Sequence, residues 1–261
     1  MYTGSIWATL TKPGIAQIYL LILISVLFYL ELRMMPLKCF VEIRARQQRL
    51  TYSPKFLLAP EQDFCKNYSY LLVYQTKMSD RGKREFFRET LGSYAEQYNF
   101  TTIFPVGISL NATLNERVLG EHRIYGDILQ ADFLDTYRNL TLKTYSYTHY
   151  ISKNCSSVRA VLKVDDDIVF NVPRMFNYLS EVDLSSNTLH CRTLDDVFST
   201  GIVAREAGVT FRNLTVNTDT SDYGSFLNGT AMAQYVEKTS DIIPLLKLID
   251  NNSTSPIPSL G

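Results

Sequence analysis

The chain has 261 residues, with 26 lysines and arginines against 26 aspartates and glutamates, and 46% of it is hydrophobic. A net charge of zero leaves no basic surplus to neutralise a phosphate backbone, which excludes nucleic acid as a partner and requires any anionic ligand to be met locally. Twelve glycines and nine prolines are near average usage, so collagen-like and proline-rich architectures are excluded as well. One globular domain with something added fits these numbers.

Residues 1–12 read as a short cytoplasmic tail. From Pro13 to Leu30 no residue is charged, and this stretch at roughly 1.5 Å per residue spans about 27 Å, the thickness of an early secretory-pathway bilayer. The flank ELRMMPLKCF offers no small-x-small cleavage site, so 13–30 is expected to be an uncleaved transmembrane signal anchor. Basic residues crowd its C-terminal side, from Arg33 to Arg49, which by the positive-inside rule would leave the following chain in the cytosol. Sequons oppose that orientation. They begin at Asn67, Asn99, Asn111, Asn139, Asn154, Asn213, Asn228, Asn251 and Asn252, where chance predicts about two. Their enrichment carries more weight than the charge bias, and the expectation is a single-pass type II protein of the Golgi membrane with a glycosylated lumenal body.

Residues 31–66 carry Arg, Gln and Pro with no sustained period and read as a stalk; the folded domain is expected over 67–250. Cysteines at 39, 65, 155 and 191 suit an oxidising compartment and form no C-x-x-C motif. One bridge is expected among Cys65, Cys155 and Cys191, against the alternative of buried free thiols. Cys39 is left for an interchain link in a homo- or hetero-oligomer.

Within the body, Tyr70–Tyr74 (YLLVY) is an apolar run of strand length. It is followed by REFFRETLGSYAEQY, where Phe86, Phe87, Leu91 and Tyr94 fall at helical spacing. Thr101–Val106 predicts a second strand, RIYGDILQADFLD a mixed segment ending in acids, and NLTLKTYSYTHYI a helix. Arg159–Val164 predicts a third strand that runs into Asp165, Asp166 and Asp167. Alternating strands and helices imply an α/β domain with a mainly parallel sheet, whose ligands gather beyond the carboxyl ends of the strands. IPLLKLID at 243–250 reads as a further strand, and 251–261 as a disordered tail.

Three carboxylates at the exit of a buried strand repel one another, at a cost on the order of several kcal/mol if buried unpaired, and a divalent cation relieves it. Hard oxygen ligands favour Mn²⁺ or Mg²⁺, bridged to a substrate phosphate. The plain alternative is a solvated acidic turn, or caps for the helix starting near Pro173.

The stretch VLKVDDDIVFNVPRMFNYL resembles the DXD segment of glycosyltransferase family 31, the β1,3-galactosyl- and β1,3-N-acetylglucosaminyltransferases. GKREFFRETLGSY resembles that family's R-x-x-x-R-x-T-W-G element with Leu91 in place of Trp, and IFPVGIS its F-x-x-G strand. EHRIYGDILQADFLDTYRNLTLKT resembles its E-x-x-x-Y-x-D-I-x-x-x-D-F-x-D-x-Y-x-N-L-T-x-K segment. The resemblance implies a GT-A type nucleotide-sugar fold in which Asp167 holds the metal against a UDP diphosphate. Asp165 and Asp166 would help hold the ribose and the metal's water shell, and Arg84 and Arg88 are placed near the donor; for Asp127 and Asp132 structural capping competes with donor contact. TLDDVFSTG resembles the E-D-V-x-x-G element, which puts the catalytic base at Asp196.

The order of these elements departs from the family's. The D-D-V element precedes SDYGSFLNGTAMAQYV, at 221–236, which resembles the acceptor-side segment that should come before it. Residues 192–261 are therefore expected to pack poorly, with catalysis the property most exposed. The leading reading is an inverting transferase that moves galactose or N-acetylglucosamine from a UDP-sugar, in β1,3 linkage, onto a glycan of a glycoprotein or glycolipid. An inactive relative acting as a Golgi binding or scaffold protein is the second reading, and an unrelated membrane glycoprotein with acidic surface turns the third.

Overall fold

The computed structural model describes residues 52–183, 188–191 and 210–252. The expected tail, anchor and Cys39, the D-D-V stretch with Asp196, and 253–261 lie outside the described residues, of which no helix is long and apolar enough to cross a membrane.

The first strand, β1 (Phe56–Leu58), pairs antiparallel with β4 (Ile128–Leu134), Phe56 facing Ala131. The folded body therefore begins inside the 31–66 stretch expected as stalk. Phe56 packs edge-on against Tyr150, and Cys65 is bridged to Cys155, apolar contacts a solvated spacer would forgo.

Next come β2 (Tyr70–Gln75), α1 (Arg81–Glu89), a 3₁₀ turn over Leu91–Tyr94 and α2 (Ala95–Tyr98). The helical spacing of 84–98 is thus broken in the middle. Thr90 turns its hydroxyl back onto the Phe86 carbonyl at 2.6 Å, and a Cβ at Gly92 would stand 3.0 Å from the Phe87 carbonyl oxygen. There follow β3 (Phe100–Ile108), α3 (Ala112–Tyr125), β4, α4 (Leu140–Asn154), β5 (Ala160–Asp165), β6 (Ile168–Phe170) and α5 (Val172–Glu181). The mixed segment resolves at Gly126, whose φ of +69° closes α3 before β4 begins.

The main sheet runs β1-β4-β3-β2-β5, with β4, β3, β2 and β5 parallel. Its two faces are read directly from β2. Tyr70, Leu72 and Tyr74 point into one core with Phe87, Phe104 and Phe176, while Leu71 and Val73 point into another with Tyr147, Tyr150 and the Cys65–Cys155 bridge. Both faces being covered, β2 and β3 read as continuous apolar runs, whereas β5 leaves Val161 and Lys163 exposed. Strand order reverses between β2 and β5, and at such a switch point the carboxyl ends open a crevice.

The C-terminal elements are β7 (Thr188–Cys191), β8 (Thr210–Asn213), β9 (Val216–Asn217), α6 (Gly224–Leu227), β10 (Ala233–Tyr235) and α7 (Ile242–Asn252). Strands β7 and β8 pair in parallel, and β10 bridges β6 and β9. Two expectations are corrected here. IPLLKLID is helical because Ile242, Leu245, Leu246 and Ile249 bury one stripe at i, i+3, i+4 and i+7, with Pro244 in the first turn where a missing N–H breaks no bond. The described part of 192–261 is well packed, since Phe226, Ala231, Met232 and Val236 join these four in the core that holds Phe104 and Phe176.

Candidate functional site

Gln75 and Asp165 are register partners at the carboxyl ends of β2 and β5, so the acidic triplet leaves the sheet at the switch point, beside the loop that leads into α1. Lys163 Nζ lies 2.6 Å from Asp165 Oδ2, and Lys83 Nζ, from the first turn of α1, lies 3.0 Å from Asp166 Oδ2. Asp167 forms no ion pair among the described residues, although the Lys83 charge acts on it from a distance. Partial desolvation, then the charges of Asp165 and Asp166, raise its carboxyl above the usual range, although the residue is exposed. The backbone carbonyl of Asp167 accepts from Val236 N at 2.9 Å, which seats the 221–236 segment against the triplet despite its position in the chain.

The strand ends beside the triplet are braced by buried polar groups. Tyr74 is 1% exposed, and burial followed by the charges of Asp166, Asp167 and Asp165 pushes its phenol far up, so it stays protonated. Gln75 holds a buried Nε2 that has no hydrogen-bond partner within the described protein. Lys143 Nζ, nearly buried, ties Asp135 at 2.8 Å to the Thr76 carbonyl at 3.0 Å, and Asp135 also accepts from Gly107 N. Strand ends β2, β3 and β4 are thereby cross-linked. Gly107 is required there, because a Cβ would stand 2.3 Å from the Phe133 carbonyl oxygen.

Arg84 does not face this crevice, contrary to expectation. It is fully buried and spends all five N–H groups inside the protein: Nε and Nη2 on the two Glu121 oxygens at 2.9 and 2.7 Å, the rest on Thr76 Oγ1 and the carbonyls of Lys77 and Met78. Arg88 grips Asp127 with Nε and Nη2, both at 2.8 Å, and gives a further Nη2 bond to Glu121. Its guanidinium lies between the rings of Tyr125 and Phe104, at 3.9 and 4.5 Å. The R-x-x-x-R element and the E-x-x-x-Y-x-D-I segment are therefore two halves of one buried network, with two positive and two negative charges. Asp127 serves that network, and Asp132 accepts from Lys55 N beside β1. These residues shape the loop 76–80 and touch no open surface at the triplet.

Residues 82–250 match the family described as Galactosyltransferase. The chain belongs to this family. Among curated proteins it is 32% identical to lactosylceramide 1,3-N-acetyl-beta-D-glucosaminyltransferase A of Danio rerio over 136 residues, 48% of this chain and 36% of that protein. It is 33% identical to beta-1,3-galactosyltransferase 2 of Homo sapiens over 139 residues, 51% and 33% of the two chains, and 32% identical to beta-1,3-galactosyltransferase 1 of Mus musculus over 130 residues, 48% and 39%. The chain spans about a third of the length of these galactosyltransferase-family relatives. Its mixed α/β body with a mostly parallel sheet fits a GT-A-like fold, as the family resemblance implies.

Among the described residues no three His, Cys, Asp or Glu side chains converge on one point. A metal cage made of protein alone is thus not built there. An exposed carboxylate preceded by two like charges and, among the described residues, in no ion pair nonetheless fits a divalent cation that draws its remaining ligands from a substrate phosphate and water.

Proposed function

We propose that this chain is an inverting hexosyltransferase that moves galactose or N-acetylglucosamine from a UDP-sugar onto a glycan hydroxyl in β1,3 linkage, acting on glycoprotein or glycolipid at the lumenal side of the Golgi membrane. The observation that carries the reading is the acidic triplet at the β2/β5 switch point, with Asp165 and Asp166 each ion-paired to a lysine and Asp167, among the described residues, in no ion pair. Asp167 would hold Mn²⁺ or Mg²⁺, and a cation there supplies charge neutralisation to the departing diphosphate. Asp165 and Asp166 orient the ribose side and the water shell, and the Lys143–Asp135 pair keeps the neighbouring strand ends in place. Asp196 takes the acceptor proton in this proposal.

Calorimetric titration of UDP into the full-length chain, with and without Mn²⁺ and beside Asp167→Ala, tests it. Micromolar binding that needs both the metal and Asp167 supports the donor site, and sugar transfer from UDP-galactose or UDP-N-acetylglucosamine to β-linked acceptors then supports the activity. Binding without transfer favours the inactive, scaffold reading. A folded protein that binds no UDP refutes the transferase reading.

A further inference from the structure

We infer that Lys83 is the residue that receives the donor's diphosphate, and that its ion pair with Asp166 is a placeholder exchanged when donor and cation arrive. The inference rests on the donor-site reading above and adds to it a residue on the opposite wall of the crevice. Among the described residues two lysines are ion-paired to the triplet, and they differ in origin. Lys163 lies on β5 two residues before Asp165, so it points to the same side of the strand as its partner and belongs to the same wall. Lys83 reaches across from α1, which follows β2, and so spans the opening in which a diphosphate bound at Asp167 would lie.

Two features suit Lys83 to the exchange. Its pair with Asp166 is partly exposed, with side-chain accessibilities of 36% and 21%, and pairs of that kind hold weakly and release readily. Its backbone is nonetheless fixed, because the neighbouring Arg84 clamps Thr76, Lys77 and Met78 and so sets the position of the first turn of α1. Once a divalent cation offsets the charge of the triplet, Asp166 no longer needs the lysine. An ammonium with three donors then has a better partner in the diphosphate oxygens.

The exchange predicts effects of opposite sign, measured on the full-length chain by titration of UDP in saturating Mn²⁺ and of Mn²⁺ alone. Lys83→Ala should weaken UDP roughly 10- to 100-fold while tightening Mn²⁺ alone, since a carboxylate loses its competing cation. Lys83→Arg should keep UDP affinity within a few-fold, and Lys163→Ala should do the same. Wild-type binding of UDP by Lys83→Ala overturns the inference, as does a fall in both affinities, which would mean that Lys83 merely holds the triplet in shape. A wild-type chain that binds no UDP removes the donor-site reading and this inference together. UDP binding that Asp167→Ala abolishes and Lys83→Ala spares removes the inference alone.

Discussion

Glu121→Ala is expected to be among the most damaging single substitutions in the described body. The carboxylate is 1% exposed and accepts three hydrogen bonds, two from Arg84 and one from Arg88. Its removal leaves Arg84, itself fully buried, with only a hydroxyl and two carbonyls; Arg88 keeps Asp127. Breaking a buried pair from one side costs about 3–5 kcal/mol, and at roughly 2–4 °C per kcal/mol for a body of this size the melting temperature falls by about 6–20 °C. In the double substitution Arg84→Met with Glu121→Leu the loss should be smaller than the sum of the singles, because no lone charge remains. Acid should reveal the same network. Burial pulls the Glu121 carboxyl upward, but hydrogen bonds and charge from Arg84 and Arg88 outweigh it and hold the carboxyl below its unfolded value. Its contribution is therefore complete above the unfolded pKa of about 4.3 and lost as pH falls through the folded one. Urea midpoints across pH 3–7 measure this, and Glu121→Gln should flatten the acid limb. A cost below about 1 kcal/mol for Glu121→Ala would refute the reasoning, and so would an Arg84→Met protein of wild-type stability that had lost UDP binding.

Gly107→Ala should cost about 3 kcal/mol or more in urea denaturation, because the clashing Phe133 oxygen is backbone and cannot turn aside. Replacing Cys65 and Cys155 by Ser opens a loop of 90 residues and should cost about 4–5 kcal/mol by loop-closure entropy; non-reducing peptide mapping should recover the pair, and any other pairing sinks the prediction. Asp167→Asn should abolish Mn²⁺-dependent UDP binding yet leave the metal-free protein as stable or slightly more so near neutral pH. The folded Asp167 carboxyl sits above its ordinary value, so its ionised form carries a small cost that grows as pH rises through that value, and a clear loss in melting temperature would contradict this.

Strands β2 and β3 are legible in the sequence because they are buried on both faces, which makes them continuous apolar runs. The triplet is visible in the sequence as three consecutive acids at a strand exit, a pattern that a solvated turn or a helix cap would share. Helix α3 is not, since only Val118 and Glu121 of its fourteen residues are buried and no apolar stripe marks it. Helix α7 is misread as a strand because a short run rich in Ile and Leu satisfies both periods, and only a partner surface decides between them. The types and spacing of Arg84 and Arg88 are equally plain, but their role is not. A guanidinium suits a diphosphate as well as a carboxylate, and Glu121 comes within reach only after β3 and α3 have folded back across β2.

The partition that β2 makes between the two cores has a consequence for how the molecule breathes. Leu71, Leu72 and Val73 are fully buried, flanked by β3 and β5 and covered on both faces, so their amides can exchange with solvent only when the whole body opens. The slowest-exchanging strand thus ends at Gln75, on the floor of the crevice, whereas Asp165 to Asp167 leave a neighbour whose Val161 and Lys163 are exposed. One rim of the crevice moves only with the global unfolding equilibrium, and the other is free to fluctuate locally.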